Sequence, residues 1–289
     1  MRTNALTKVL MVAVGLWALP ALPGPDIYLV GTGQDGARSI TNTNGGTVIN
    51  NYAQVLEPLA PGDTTIRTSR ATDTSTTPAI PDFNGPVGSG DAHGDLVMII
   101  QTTGLVPAAP AGSEARINLE GGAVGRWELA RITSVDRSMP GELTLTLDRP
   151  LKYSYAAEVT QVVRVPEYTT LSLAVSAEVR ARAWDPETYT GGVLAFLATG
   201  NVTLANGSRL SAKGAGFRGG TYARDTANNS ENEPLMGCPA SGRPDSTRAL
   251  SGEGLNAATN APRGVDNVAN GGGGGVCLRA GGGGGGNGG

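Results

Sequence analysis

The chain has 289 residues, 44 of them glycine and only 16% charged, with a formal charge of -3 and a pI near 5.3. Its basic residues are scattered, whereas binding a nucleic-acid backbone needs clustered Lys and Arg, so this balance argues against nucleic acid as a partner. Aromatic residues make up 4%, and solubility must come from Thr, Asn, Ser and exposed backbone, a profile common among secreted, repetitive β proteins.

Residues 1–24 have the three parts of a secretory signal: Arg2 and Lys8, the apolar run Val9 to Leu19, then Pro20 and small residues. The run is shorter than the roughly 20 residues that span a bilayer, so export to the cell surface or medium is expected, with no membrane span. Ala21 and Gly24 are the candidate cleavage positions, and no cysteine follows the run to carry a lipid. Cys238 and Cys277 are the only cysteines. In an exported chain they are a candidate disulfide closing a glycine-rich loop, worth about 3–4 kcal/mol where the geometry permits.

Residues 25–46 read as an N-terminal extended segment containing GTGQDG, Gly31 to Gly36. The spacing is that of a dinucleotide-binding loop, and Glu57 lies about where an acidic ribose ligand is sought. The following ARSITNTNGGT is too rich in Thr, Asn and Gly to form the helix whose N-terminus would hold a pyrophosphate, so no nucleotide cofactor is expected. A second copy of the spacing at Gly214, Gly216 and Gly219 is likewise followed by non-helical sequence.

Residues 47–165 carry short apolar or alternating runs separated by Gly, Pro and Asp: TVINNYAQVLEPL, GDTTIRT, Leu96 to Ile100, Arg126 to Val135, Leu143 to Leu147, and Glu158 to Val165. Such runs predict a small antiparallel β-sandwich or barrel. From Pro166 the alternation tightens. In residues 166–220, Leu171, Leu173, Val175, Val179 and Ala181 alternate with polar residues, and the unbroken run Val193 to Ala198 asks for burial on both faces. Coils of a parallel β-helix satisfy both patterns, so the fold class is all-β, a small antiparallel unit followed by β-helix-like coils. Residues 221–289 form an Asn/Ser/Gly-rich loop and a polyglycine tract whose glycines lose the most entropy on ordering.

No catalytic or metal-binding set stands out. His93 is the single histidine; in DAHGD it would share a strand face with Asp91 and Asp95, but a turn leading into Leu96 is the plainer account. The candidate ligand-binding cluster is Arg180, Arg182, Asp185 and Glu187, in which the two arginines alternate with Val179 and Ala181 and so face outward together. Such a group could bind a sugar acid or serve acid/base chemistry on a β-helix, but a solvated charged face is the plainer account.

Taken together, GTGQDG, VGRWELARITSV, QVVRVPEYTTL, GGVLAFLATG and KGAGFRGG, followed by glycine runs, resemble the N-terminal part of myxobacterial cell-surface proteins of adventurous gliding motility; related blocks occur in some phage-tail and adhesin-like proteins. The resemblance implies an exported, largely β, cell-surface protein associated with gliding or adhesion and offers no catalytic motif; the first reading is therefore a non-enzymatic structural or adhesive module, with cell-surface polysaccharide or other envelope proteins as expected partners. A polysaccharide-acting β-helix enzyme and a phage-tail-like receptor binder are the alternatives.

Overall fold

The computed structural model describes residues 28, 31–70, 82–86, 93–107, 118–119, 122–220 and 251–256. Among them are fourteen strands and no helix, so the all-β expectation holds. No helix of the described residues is long and apolar enough to cross a membrane. Residues 1–24, where a secretory signal is expected, both cysteines and the glycine runs lie outside the described residues.

In chain order the first two strands are β1 (Ala37–Ile40) and β2 (Thr47–Val48). They are followed by β3 (Tyr52–Gln54), β4 (Thr65–Ser69), β5 (Leu96–Gln101), β6 (Trp127–Asp136), β7 (Glu142–Leu147) and β8 (Thr160–Arg164). The last six are β9 (Glu167–Tyr168), β10 (Thr170–Leu173), β11 (Glu178–Arg180), β12 (Leu197–Ala198), β13 (Val202–Leu204) and β14 (Arg209–Ser211).

Strands β3 to β8 form one antiparallel sheet in the order β3-β8-β5-β6-β7-β4. It curls until its two edge strands meet at a bridge between Val55 and Thr68, with Leu56 N–H donating to Arg67 O at 2.9 Å. The curl follows from the pattern: Ile66, Val97, Ile99, Ala130, Ile132, Leu143, Leu145 and Val162 all point to one interior, closed by Phe83 and Tyr155. Each fully buried aliphatic side chain contributes about 1.5–3 kcal/mol of transfer free energy. Buried polar residues tie down the loops. Glu128 accepts from the N–H of Lys152 and Tyr153 and from the Tyr155 hydroxyl, and the Gln101 amide oxygen accepts from Ala156 N–H at 2.8 Å.

The remaining strands stack in parallel as three rungs of a coil. One column is β1-β10-β13, a second is β2-β11-β14, and β9 pairs with β12. The expected N-terminal extension over 25–46 is thus drawn into the coil: its β1 pairs with β10 and the next strand, β2, pairs with β11. The antiparallel unit is an insertion between the first and second rungs. Alternation along β1 could show which face is apolar but not that its partner would arrive only after the barrel. Ile40, Ile49, Leu171, Leu173, Ala177 and Val179 fill the narrow interior.

The apolar run Val193 to Ala198 is used on both sides, as its composition demands. Leu194 and Phe196 pack into the coil interior, while Ala195 and Leu197 pack with Tyr28, Leu96 and Val165 against the barrel. Only Leu197–Ala198 is strand; the rest crosses from one body to the other.

Truncation at the centre of the barrel tests this packing. Ile132→Ala, at a fully buried position, is expected to lower unfolding free energy in urea by about 2–5 kcal/mol, the range for such cavities.

Candidate functional site

The densest group of charged side chains lies where barrel and coil meet. Glu167, the first residue of β9, is wholly buried. Its carboxylate accepts two 2.6 Å hydrogen bonds from the Arg131 guanidinium of β6, one to each oxygen. Such a bidentate, charge-assisted pair is among the stronger polar contacts a protein makes. Oε1 also accepts from Thr32 N–H at 2.8 Å and Oε2 from the Gln34 side-chain amide at 3.1 Å.

Those last donors come from GTGQDG. The motif forms a tight turn, with Gly36 N–H donating to Gly33 O at 2.9 Å, and leads into β1 rather than a helix. Gly31 and Gly33 are needed for close approach. Gly31 has φ of +73°, and a Cβ there would stand 2.8 Å from Glu167 Oε1. The loop does cradle an anion, but the anion is the protein's own carboxylate. The backbone adds two more bonds: Asp35 N–H donates to Glu167 O, and Glu167 N–H donates to Asp35 Oδ2 at 2.7 Å.

A second buried group continues the first. Arg164, the last residue of β8, pairs with Asp35 at 2.6 Å and with Asp95 at 2.8 Å. Burial opposes the charge on Arg164, but the hydrogen bond and charge of Asp95, reinforced by Asp35, outweigh it and hold its pKa above the ordinary value. Arg131 behaves alike: burial opposes its charge, and the hydrogen bond and charge of Glu167 raise its pKa. These ionised pairs weld the first rung, the second rung and the barrel together.

Asp95 is therefore engaged by Arg164 and by Asn84 N–H at 2.8 Å, while His93 is exposed just before β5. Asp91 lies outside the described residues, and among those described no group of three His, Cys, Asp or Glu residues is placed to hold a metal. Glu57 stands 4.0 Å from Arg67 on the barrel surface. Gly214, with φ of +67°, turns the chain after β14.

Arg180, Arg182, Asp185 and Glu187 divide between two tasks. Arg180 is exposed at the end of β11. The Arg182 guanidinium instead turns inward, 4.6 Å from the Tyr52 ring centroid, and donates to Thr190 Oγ1 at 2.7 Å. Asp185 braces the loop by accepting from Glu187 N–H at 2.9 Å and from the Thr188 hydroxyl at 2.8 Å. Burial acts to raise the Asp185 pKa, but these hydrogen bonds prevail and hold it below the ordinary carboxylate value. Glu187 itself is exposed.

Beside this loop the sequence reading missed an aromatic group. Trp184 packs edge-to-face on Phe217 at 5.0 Å and on Tyr189 at 6.2 Å. Phe217 is 38% exposed, and the buried indole N–H of Trp184 has no hydrogen-bond partner among the described residues. Trp184 and Phe217 lie far apart in sequence with no periodic relation, so only the coil's third rung brings them together. Gln161 was also missed: its amide clamps Gly191, accepting from the N–H at 2.8 Å and donating to the carbonyl at 3.0 Å.

Fold and site together define an all-β chain in which a three-rung parallel coil carries an inserted, curled antiparallel sheet, locked by buried ion pairs. No protein-family model and no curated protein matches the sequence. Among solved structures it is similar to the tailspike gp61 of Pseudomonas phage phi297, at 13% identity and a TM-score of 0.24, over 62% of this chain and 24% of the tailspike. It is also similar to the Gp54 tailspike of Acinetobacter baumannii bacteriophage AP22, solved with A. baumannii capsular saccharide, at 11% identity and a TM-score of 0.24, over 60% of this chain and 25% of the tailspike. The chain thus spans about a quarter of the length of either.

Two outcomes follow from the junction. Glu167→Gln leaves the Arg131 guanidinium buried beside a neutral amide and is expected to cost about 3–5 kcal/mol in urea unfolding, whereas the Arg131→Met/Glu167→Met pair recovers most of that loss. The second concerns alkaline pH. Burial, then the charge of Asp35, pushes the Tyr168 phenol up to about 12, against about 10 for an unfolded chain. A raised pKa favours the neutral phenol in the fold, so its contribution is complete below about pH 10 and is lost as pH rises through 12. Tyr28 and Tyr155 are raised in the same direction, chiefly by burial. Urea midpoints should fall over that window, less steeply in Tyr168→Phe; parallel profiles would remove Tyr168 from the account.

Proposed function

We propose that this is a non-enzymatic, exported structural or adhesive module of the cell surface, associated with gliding motility, with surface polysaccharide as the ligand class. The observation that carries the adhesive reading is the aromatic group of Trp184, Tyr189 and Phe217 on the third-rung side of the coil. A sugar ring presents apolar C–H faces to aromatic rings and hydroxyls to polar neighbours, and here Phe217 is exposed beside a half-buried Trp184 whose indole N–H has no partner among the described residues. Arg182 and Asp185 support a non-catalytic role, because their hydrogen bonds brace the loop. The association with gliding rests on the sequence blocks that resemble the motility proteins, and export rests on the N-terminal segment.

The test incubates the purified protein with a panel of bacterial surface polysaccharides and reads both its retention and the appearance of new sugar ends. Retention without release is expected, weakened at least tenfold by Trp184→Ala/Phe217→Ala, a loss of about 1.4 kcal/mol or more in binding. Release of new ends that disappears in Arg180→Ala/Asp185→Ala would instead make the chain a polysaccharide-acting enzyme.

A further inference from the structure

The aromatic group sits in acidic surroundings. Tyr189 belongs to a loop closed by Asp185 N–H donating to Thr190 O at 2.8 Å, and the same loop carries the carboxylates of Asp185 and Glu187. Two more carboxylates approach from other parts of the chain. Burial, then the charges of Glu253 and Glu158, raises the pKa of the Tyr189 phenol above its ordinary value, so both acids stand within electrostatic reach of the ring. Glu158 is exposed just before β8. Glu253 is joined to the residue after Phe217: its Oε2 accepts from Arg218 N–H and its own N–H donates to Arg218 O, both at 2.8 Å.

The cations on these turns do less to balance the acids. Arg182 lies over the Tyr52 ring and donates to Thr190 Oγ1. The Arg218 guanidinium donates to the carbonyls of Ser251 at 3.2 Å and Gly219 at 3.4 Å. Lys213 is exposed on the turn after β14. Two of the three cations are thus tied down, whereas Glu158 and Glu187 are exposed and form no ion pair among the described residues.

The backbone is strained at the same place. Tyr189 and Glu158 have φ of +52° and +64°, in the left-handed region that a bulky side chain rarely adopts. They are two of the three non-glycine residues so placed among the described residues. Conformations of this kind persist where the surrounding structure enforces them, and they gather at ligand sites.

Trp184 meets Phe217 at 85° and Tyr189 at 69°. Rings set steeply to one another form a corner, and here the corner offers an ammonium group an aromatic face together with carboxylates. A uronic acid would bring a like charge to the same place. We propose that the polysaccharide taken at Trp184, Tyr189 and Phe217 is an amino-sugar polymer with free amino groups, a sugar ring resting on the aromatic corner and its ammonium drawn by Glu158 and Glu187. This assignment rests on the adhesive reading and reverses the sugar-acid chemistry that the spacing of Arg180 and Arg182 suggests.

Retention of the full chain on three immobilised polymers tests it: polyglucosamine, its N-acetylated counterpart and a polyuronate, in about 0.15 M salt, where distant surface charges are screened. Polyglucosamine is expected to retain the protein at least about tenfold more strongly than the N-acetylated polymer, with no retention on the polyuronate. Trp184→Ala/Phe217→Ala, which leaves every charge in place, should abolish retention, and Glu158→Gln/Glu187→Gln should bring the two glucosamine polymers level. Slow amide exchange at Ile99 in the barrel and Leu171 in the coil certifies that each variant is folded. Equal or stronger retention on the N-acetylated polymer or the polyuronate, lost in the aromatic variant, would overturn the amino-sugar assignment and leave the adhesive reading standing. Retention on polyglucosamine that survives loss of both rings would also overturn it, as plain attraction of a polycation to an acidic chain. A protein retained by none of the three, nor by any surface polysaccharide, would remove both readings.

Discussion

The buried carboxylate of Glu167 is the constraint on which the rest of the fold depends. It opens the second rung, yet its ligands come from the first rung through Thr32 and Gln34 and from the barrel through Arg131. Desolvating a carboxylate is costly, and the cost is offset only when opposite charge and hydrogen bonds surround it. Here they do so only if all three parts are correctly placed. The site therefore contributes registration more than net stability, fixing where the chain re-enters the coil after the barrel.

That registration answers a topological difficulty. A rung of parallel coil ordinarily pairs with the rung that follows at once, so the loop to be closed is short. Here β1 waits for β10 while the whole antiparallel sheet intervenes. Loop closure grows only slowly in cost with length, and less still when the loop is itself a folded body with its ends held together. The ends are held by Asn50, whose amide donates to Arg164 O and Ala195 O, and by Asn51, whose carbonyl accepts from Arg164 N–H. The barrel thus presents the coil with two adjacent chain ends, and the first and second rungs stack as though consecutive.

Much of this was legible in the residues, but unevenly. Period-two alternation in Leu143, Leu145 and Leu147 and in Leu171 and Leu173 marked strands and their buried faces, because burial of one face leaves that imprint directly. The unbroken run from Val193 announced two buried sides for the same reason. Pairing partners leave no such imprint: nothing in ARSI says that its neighbour is TLSL. Buried polar residues misled in the opposite sense. Glu128, Gln101 and Gln161 sit among strand residues where a polar side chain ordinarily implies solvent, and their partners are backbone groups distant in sequence. GTGQDG was legible as a tight glycine turn, and its anion was not, since the carboxylate it meets belongs to PEYTT. The charged cluster from Arg180 to Glu187 looked outward-facing by spacing alone; Arg182 turns onto Tyr52 instead, while its charge still acts on Asp185.

The two ends of the described coil are physically unlike. At the first rung Ile40 and Ile49 are 3% and 6% exposed, so its apolar residues are already covered, whereas the third rung displays its own. A parallel stack gains by adding rungs at an uncovered end, because each added strand satisfies backbone groups and apolar side chains together. The barrel is attached at the covered end, between the first rung and the second. Among the described residues, the third rung is thus the end at which a further strand would gain most. A coil built on this plan has a base locked by ion pairs and hydrophobic packing at the inserted sheet, with the Trp184 and Phe217 rings standing toward its third rung.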